Sequence, residues 1–174
     1  MNKIIVIGCP GSGKTTFALK LHEKTSIPLF HLDVIWHKPD KTHISRDEYD
    51  VRLTEILALD SWIIDGNYQR TIEKRLVECD AVILFDLPAQ VCLQGAISRI
   101  GKERYDMPWI ETELDPRFAV DILEFGSKSL PTIYALMEKH KEGKSIIVFK
   151  SREEADEFLK NFKKASDEDS RRML

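Results

Sequence analysis

The sequence predicts a three-layer α/β sandwich in which a five-stranded parallel sheet is covered by helices on both faces. Three observations lead to this fold class. Short apolar runs alternate with longer amphipathic segments, which is the element order of a parallel sheet with crossover helices. The run at residues 81–85 is apolar throughout, as expected of a central strand buried on both faces. The chain has 174 residues, which is a usual length for one domain.

Five short, mostly apolar runs are the predicted strands, because their length and flanking residues are typical of buried strands. They cover residues 3–7, 28–32, 61–64, 81–85 and 145–149. Since parallel strands end at a common edge of the sheet, residues that follow these runs are the first candidates for ligand binding.

The segments between the strands carry helical patterns. Capping boxes of the form Ser-x-x-Glu begin at Ser45 and Ser151 and open two of the helices. Pro88 suits the first turn of another helix, which extends to about residue 100. Further helical patterns cover residues 14–24 and, with an interruption at 126–131, residues 117–141.

Residues 101–116 break the helical pattern with two prolines and mixed charges, and we interpret them as a mobile loop or lid. No repeat or linker divides residues 1–165, so a single domain is expected there. Residues 166–174 are polar and are expected to form a flexible tail.

Composition excludes several classes of protein. The net charge of −3 argues against a non-specific nucleic-acid binder. The three cysteines have neither disulfide-framework nor zinc-site spacing, and the longest apolar run is too short to cross a bilayer. With no signal peptide recognisable at the N-terminus, we expect a cytoplasmic protein without membrane or direct nucleic-acid partners. The oligomeric state stays open.

A phosphate-binding loop is the most specific motif. Residues 8–15 read Gly-Cys-Pro-Gly-Ser-Gly-Lys-Thr, which matches G-x-x-x-x-G-K-[ST] between a predicted strand and helix. Glycines let backbone N–H groups turn inward around phosphates, and the helix N-terminus favours anions. Lys14 would contact the β- and γ-phosphates, and Thr15 would bind Mg²⁺. The predicted ATP-binding residues of the loop are Gly8, Pro10, Gly11, Ser12, Gly13, Lys14, Thr15 and Thr16.

Three further segments, at residues 31–36, 62–68 and 149–152, resemble the adenylate-kinase-like P-loop proteins, and among these the bacterial topology modulation proteins. The resemblance extends over nearly the whole chain. It implies a P-loop nucleoside-triphosphate hydrolase or kinase fold with strand order 2-3-1-4-5. It also implies phosphotransferase activity with ATP and Mg²⁺ as cofactors.

The resemblance implies roles for individual residues. Asp65 is similar to the Walker B carboxylate that holds Mg²⁺ through water. Arg99 and Arg104 resemble the lid arginines that close over the transferred phosphate, with Lys14 as their catalytic partner. Lys150 and Arg152 resemble the loop that packs on adenine.

The acceptor side departs from adenylate kinase. Where that enzyme has Phe-Pro-Arg, this chain has Asn67, Tyr68 and Gln69, so the arginine that grips AMP is absent and Arg70 lies one residue further on. The candidate acceptor-binding residues are Asp33, Trp36, Asn67, Tyr68 and Arg70. Asp33 follows a predicted strand, where a carboxylate can accept the proton of a substrate hydroxyl.

Structural alternatives remain open for these candidates. Asp33 can be a turn residue, and Trp36 can pack at the root of a loop instead of stacking on a base. Asp86 follows the fourth strand and competes with Asp65 for the metal role. Arg117 is a further lid candidate, and His37 is read as an ordinary surface histidine, like His31.

Three classes of function remain open. The first is a nucleotide or nucleoside kinase, and the second is a kinase of a small hydroxyl metabolite. The third is a non-catalytic ATP-binding regulator linked indirectly to DNA topology.

Overall fold

The computed structural model describes residues 1–162 and confirms the predicted fold class. The strands are β1 (Lys3–Gly8), β2 (Leu29–His31), β3 (Trp62–Asp65), β4 (Ala81–Phe85) and β5 (Ser145–Phe149). They form one parallel sheet in the order β2-β3-β1-β4-β5, as predicted. The predicted tail at residues 166–174 lies outside the described residues.

Helices cover the sheet on both sides. They are α1 (Lys14–Thr25), α2 (Leu32–Trp36), α3 (Arg46–Leu57), α4 (Gln69–Glu78), α5 (Ala89–Ile97), α6 (Pro116–Lys128), α7 (Leu130–Lys139) and α8 (Arg152–Asn161). At both predicted capping boxes the serine is the N-cap of its helix. Ser45 Oγ accepts a hydrogen bond from the backbone N–H of Glu48 at 3.1 Å, and Ser151 Oγ accepts one from that of Glu154 at 3.2 Å.

Two helices were not among the predicted elements. α4 escapes a periodicity argument because its buried face includes the polar residues Thr71 and Arg75 beside Ile72 and Leu76. α2 begins at Leu32, where the second strand was expected to end, so Asp33 lies on a short helix and not at a strand end. Pro88 also differs from expectation, since it precedes α5 as its N-cap.

The core lies on both sides of the two central strands. Residues 4–7 of β1 and 81–85 of β4 are at most 1% exposed. α1 and α8 contact each other, and α1 also contacts strands of the sheet. In a second group, α7 contacts both α4 and α6. The register places Val6 beside Asp65, and Gly8 beside Phe85. The loop after β1 and the carboxylate at the end of β3 therefore meet at the same edge.

The connection between α5 and α6 is irregular, as predicted for the lid, although the backbone continues in turns to residue 100. Gly101 N–H donates to the carbonyl of Glu111 at 2.7 Å and closes the segment into a loop. Its mobility stays a prediction. Within residues 1–162, no helix is both long and apolar enough to cross a bilayer.

Candidate active site

The phosphate loop joins β1 to α1, and the ammonium group of Lys14 at its end has no partner among residues 1–162. Gly13 is the N-cap of α1 and has a φ of 103°, a conformation that L side chains rarely adopt. The side chain of Lys14 follows it and is buried, with the residue only 8% exposed. No hydrogen bond or ion pair joins Lys14 Nζ to any residue in the range 1–162. A buried ammonium group without a partner is costly, so this position favours an anionic ligand.

A cavity of about 550 Å³ opens beside the loop, which is within the size range of small-molecule sites. It is lined by the first turn of α1, by the lid and by the start of α8. Among the lining residues are Gly13, Lys14, Thr16, Arg99, Arg104 and Arg152. The predicted loop and lid residues thus meet around one space.

Arg152 binds the backbone of the phosphate loop through two hydrogen bonds. Its Nε donates to the carbonyl of Ser12 at 3.1 Å, and its Nη2 donates to that of Gly11 at 2.8 Å. The resemblance implied that Arg152 packs on adenine, but its guanidinium is engaged with the backbone of the phosphate loop. We therefore read it as a loop-positioning residue that also lines the cavity.

Lys150 and Asp86 do not line this cavity. Lys150 Nζ donates to Asp86 Oδ2, and the hydroxyl of Tyr134 donates to the same oxygen at 2.7 Å. The Asp86 carboxylate, the alternative to Asp65 as a metal ligand, is thus engaged in an ion pair with Lys150. The Lys150 side chain is 62% exposed, and its implied packing on adenine stays a prediction.

Asp65 provides a candidate metal-binding oxygen beside the loop. Asp65 Oδ2 accepts a hydrogen bond from Thr15 Oγ1 at 2.7 Å and lies 3.0 Å from His31 Nδ1. Asp65 is 3% exposed, and its Oδ1 is buried without a hydrogen-bond partner within residues 1–162. A hydroxyl and an incompletely satisfied carboxylate fit Mg²⁺, which takes few protein ligands and keeps several waters. The His31 side chain is 11% exposed and lies beside Asp65, so it is largely shielded from solvent and is not an ordinary surface histidine.

The predicted lid and the segment just before it contribute one arginine each, and the two differ in their hydrogen bonding. The guanidinium of Arg104 makes paired hydrogen bonds to Asp106, at 2.9 and 2.7 Å, and a third to Glu111 at 2.6 Å. Arg99 Nε is buried and has no partner among the described residues. Burial and the nearby positive charge of Arg104 lower the pKa of Arg99. An anion bound in the cavity would offset both the burial of the Arg99 guanidinium and its repulsion by Arg104.

Asp106 is a site residue that sequence reasoning missed. It is 4% exposed, and its Oδ2 lies 3.2 Å from Thr15 Oγ1. Burial alone would raise the pKa of Asp106, but hydrogen bonds from Arg104 and its charge lower it. The only signal was a carboxylate two residues after a lid arginine. By contrast, the lid candidate Arg117 is exposed at the start of α6 and does not line the cavity.

Asp33 and Tyr68 meet on the acceptor side. The hydroxyl of Tyr68 donates to Asp33 Oδ1 at 2.9 Å, and no described residue binds Asp33 Oδ2. Burial raises the pKa of Asp33, while the charge of Lys14 and the hydrogen bond from Tyr68 lower it. Asp65 and Asp106 act in the raising direction. The Asp33 carboxyl therefore lies within the electrostatic reach of the phosphate loop.

Tyr68, which binds this carboxyl, belongs to a cluster of aromatic rings. Trp36 stacks on His43 with ring centroids 4.4 Å apart, and Tyr68 stacks on Tyr49 at 5.4 Å. His37 contacts the edge of Trp109, a lid residue, at 5.1 Å. One face of Trp36 is thus already occupied by protein, in line with the packing alternative for that residue.

Two other predicted acceptor residues are engaged elsewhere. Both polar ends of the Asn67 amide bind the backbone of Gly8, with Oδ1 accepting from N–H at 2.9 Å and Nδ2 donating to the carbonyl at 2.7 Å. Asn67 therefore fixes the start of the phosphate loop. Arg70 makes two hydrogen bonds to Asp50, at 2.9 and 2.7 Å, and its side chain is 46% exposed. The structure brings neither residue to Asp33.

Arg75 is a second residue that the sequence did not reveal. It is fully buried and donates to the carbonyls of Gly66 at 2.8 Å, Asn67, and Tyr68 at 3.2 Å. Burial lowers its pKa to about 10. Tyr68 has a φ of 32°, so Arg75 holds together a turn whose backbone is strained.

Comparison with known proteins supports the fold. No protein-family model and no curated protein sequence matches the chain. A shikimate kinase from Bacteroides thetaiotaomicron is 13% identical, with a TM-score of 0.54 over 90% of this chain and 93% of that one. An unliganded sugar kinase from Janibacter sp. HTCC2649 is 18% identical, with a TM-score of 0.47 over 90% of this chain and 89% of that one. The chain shares the fold of the shikimate kinase, and the topology modulation assignment stays a prediction.

Proposed function

We propose that this protein is an ATP-dependent phosphotransferase that moves the γ-phosphoryl group to a hydroxyl of a small acceptor. The observation that carries the proposal is the buried, unpaired ammonium of Lys14 in a phosphate loop, within electrostatic reach of the Asp33 carboxyl. The loop supplies the position for a donor phosphate, and Asp33 supplies a base for an acceptor. A fold shared with a shikimate kinase is compatible with this reaction.

The donor side binds the triphosphate through the backbone and Lys14. N–H groups of residues 8–15 and the N-terminus of α1 attract phosphate oxygens. Thr15 and Asp65 would hold Mg²⁺, which neutralises charge on the β- and γ-phosphates during transfer. Arg152 and Asn67 keep the loop in place from either side.

On the acceptor side, one proton is transferred from the acceptor hydroxyl to Asp33. As the acceptor oxygen attacks the γ-phosphorus, its proton passes to Asp33 Oδ2, and the bond from the γ-phosphorus to the ADP oxygen breaks. Tyr68 orients the carboxyl through Oδ1. The raised pKa of Asp33 makes it a stronger base than an exposed aspartate.

We favour an acceptor without a phosphate group, such as a nucleoside or another small hydroxyl compound. Two arginines that could have replaced the AMP-binding arginine are already engaged: Arg70 binds Asp50, and Arg75 donates to four backbone carbonyls. Neither is free to grip a phosphate in the way that an AMP-binding arginine does. A nucleoside monophosphate is therefore the less favoured member of the first function class.

Arg99 and Arg104 would have different roles. Arg99, with its unpartnered Nε, would contact phosphate oxygens directly. Arg104 is held by Asp106 and Glu111 and would stabilise the closed loop and the cavity wall. An arginine positioned on the transferred phosphoryl group contributes about 10³–10⁵ in rate.

An acceptor screen tests the proposal. ADP release is measured with a panel of nucleosides, nucleoside monophosphates and small polyols, and the phosphorylated product is identified by mass spectrometry. We expect a hydroxyl acceptor to raise ADP release above background. Asp33→Asn should lower that rate by about 10²–10⁴-fold. The matched control is Asp50→Asn, because Asp50 is an exposed carboxylate of the same type outside the site.

The competing class predicts a different result. If no acceptor raises ADP release above background while ATP still binds, the proposal fails and a non-catalytic ATP-binding regulator is favoured. That outcome would also revive the link to DNA topology. We further propose a reducing compartment such as the cytoplasm, because all three cysteines are buried free thiols.

A further inference from the structure

The hydroxyl of Thr15 lies between two carboxylates and can satisfy only one of them. Its Oγ1 is 2.7 Å from Asp65 Oδ2 and 3.2 Å from Asp106 Oδ2. A hydroxyl carries one proton, so it donates to one carboxylate at a time. The other contact then joins two oxygen atoms with no hydrogen between them.

Arg104 binds Asp106, and His31 Nδ1 lies 3.0 Å from Asp65 Oδ2, but neither group lies between the two carboxylates, whose burial keeps their mutual repulsion strong. Asp65 and Asp106 are 3% and 4% exposed, so water screens neither carboxylate well. The second oxygen of Asp65, Oδ1, is buried and has no hydrogen-bond partner within residues 1–162. Three oxygen-bearing side chains from different elements thus converge with unused acceptor capacity. Hard divalent cations such as Mg²⁺ and Mn²⁺ bind such oxygen sets.

We propose that Asp106 is a ligand of the divalent cation, directly or through one water, together with Thr15 and Asp65. The inference rests on the cation use in the proposed function and extends it to the lid. Asp106 is fixed for this task by the paired hydrogen bonds from Arg104, at 2.9 and 2.7 Å. Supporting hydrogen bonds of this kind orient metal ligands.

A consequence is that the cation ties the lid to the phosphate loop. Thr15 lies in the first turn of α1, Asp65 ends β3 and Asp106 belongs to the predicted lid. A cation that contacts all three favours the closed lid, and a closed lid in turn favours the cation, because such coupling is reciprocal. The lid would therefore respond to the metal even without an acceptor.

Metal binding to the nucleotide-free protein tests the site without activity. Mn²⁺ is titrated into the protein, and the free ion is followed by its electron paramagnetic resonance signal. We expect Asp106→Asn to weaken Mn²⁺ binding by about 10- to 100-fold. Glu103→Gln is the matched control, because Glu103 is an exposed lid carboxylate lining the same cavity. Absence of Mn²⁺ binding in the unaltered protein, or equal binding by Asp106→Asn, would overturn the proposal.

Calorimetry separates a metal ligand from a residue that only positions Arg104. ATP is titrated into the protein and into Asp106→Asn, once with Mg²⁺ and once with EDTA. A ligand role predicts at least about tenfold weaker binding of MgATP, with metal-free ATP unchanged or tighter because a repelling charge is removed. Equal weakening in both titrations would assign Asp106 to positioning alone and refute the ligand role.

Hydrogen exchange of the unaltered protein provides a measurement that needs no variant. Saturating Mg²⁺ without nucleotide should slow exchange of amides in residues 101–111, and unchanged exchange there would contradict the coupling. The proposed function fails on different evidence. A protein that binds Mn²⁺ through Asp106 and phosphorylates no acceptor would refute the phosphotransferase and leave the metal site intact.

Discussion

Gly95 and Gly126 both lie inside helices, and replacing each by alanine should have opposite effects on the stability of the protein. A Cβ added at Gly95 in α5 would lie 2.1 Å from the carbonyl oxygen of Gly11 and 2.5 Å from Arg152 Nη2. A Cβ added at Gly126 in α6 would have no atom within 4 Å. Helix propensity alone favours alanine at both positions by about 1 kcal/mol.

The magnitudes follow from these distances. At Gly95 the clash is with backbone, so the phosphate loop must move away from α5, and overpacking of this kind costs about 1–3 kcal/mol. Gly126→Ala should instead gain up to about 1 kcal/mol. In a domain of this size, each kcal/mol shifts the melting temperature by roughly 2–4 °C. Gly95→Ala should also weaken ATP binding, because Gly11 and Arg152 shape the loop.

Urea denaturation gives the free energy of unfolding of each variant, and calorimetry gives its ATP affinity. The expected pattern is a less stable Gly95→Ala with weakened ATP binding and a Gly126→Ala that matches or exceeds the unaltered protein in both. If Gly95→Ala were as stable as Gly126→Ala and bound ATP normally, the close packing of α5 on the phosphate loop would be refuted.

Three further substitutions test the acceptor side and its support. Tyr68→Phe removes a hydrogen bond that lowers the pKa of Asp33, so the acid limb of the pH–rate profile should move to higher pH; an unmoved limb would argue against Asp33 as the base. Arg75→Met leaves buried carbonyls unsatisfied and should cost at least about 2 kcal/mol of unfolding free energy, and a neutral result in urea would contradict the role of this buried arginine. Arg70→Ala breaks a half-exposed ion pair with Asp50 and should cost under about 1 kcal/mol. It should leave the acceptor KM unchanged, whereas a large rise in KM would restore Arg70 to the acceptor site.

The fold was predictable because its signals are local. The alternation of apolar runs with helical patterns predicted all five strands, and the family resemblance predicted their order. The capping boxes at Ser45 and Ser151 marked two helix starts. α4 was missed because Arg75, a residue type that is almost never fully buried, occupies the position of a core residue. The Arg75 guanidinium holds the turn before α4 through hydrogen bonds, and hydrophobic periodicity does not predict such a buried arginine.

The candidate site was predictable only where its residues are contiguous. Residues 8–15 form a sequence motif, and the structure places Lys14 and Thr15 beside the cavity. Asp106 and Thr15 are 91 residues apart in sequence, so no local sequence pattern predicts their contact. Asn67 and Arg70 have the residue types of a substrate site, yet Gly8 and Asp50 engage them. One sequence does not reveal such partners in advance.

Calorimetry of MgATP binding tests the account most directly. The unaltered protein should bind one MgATP saturably, and Lys14→Ala should bind it about 10- to 100-fold more weakly, because a charged hydrogen-bond donor to phosphate is worth about 1.5–3 kcal/mol. If the unaltered protein gave no saturable heat at millimolar nucleotide, or if Lys14→Ala bound equally well, the phosphate loop would not be a nucleotide site and the proposed function would fall.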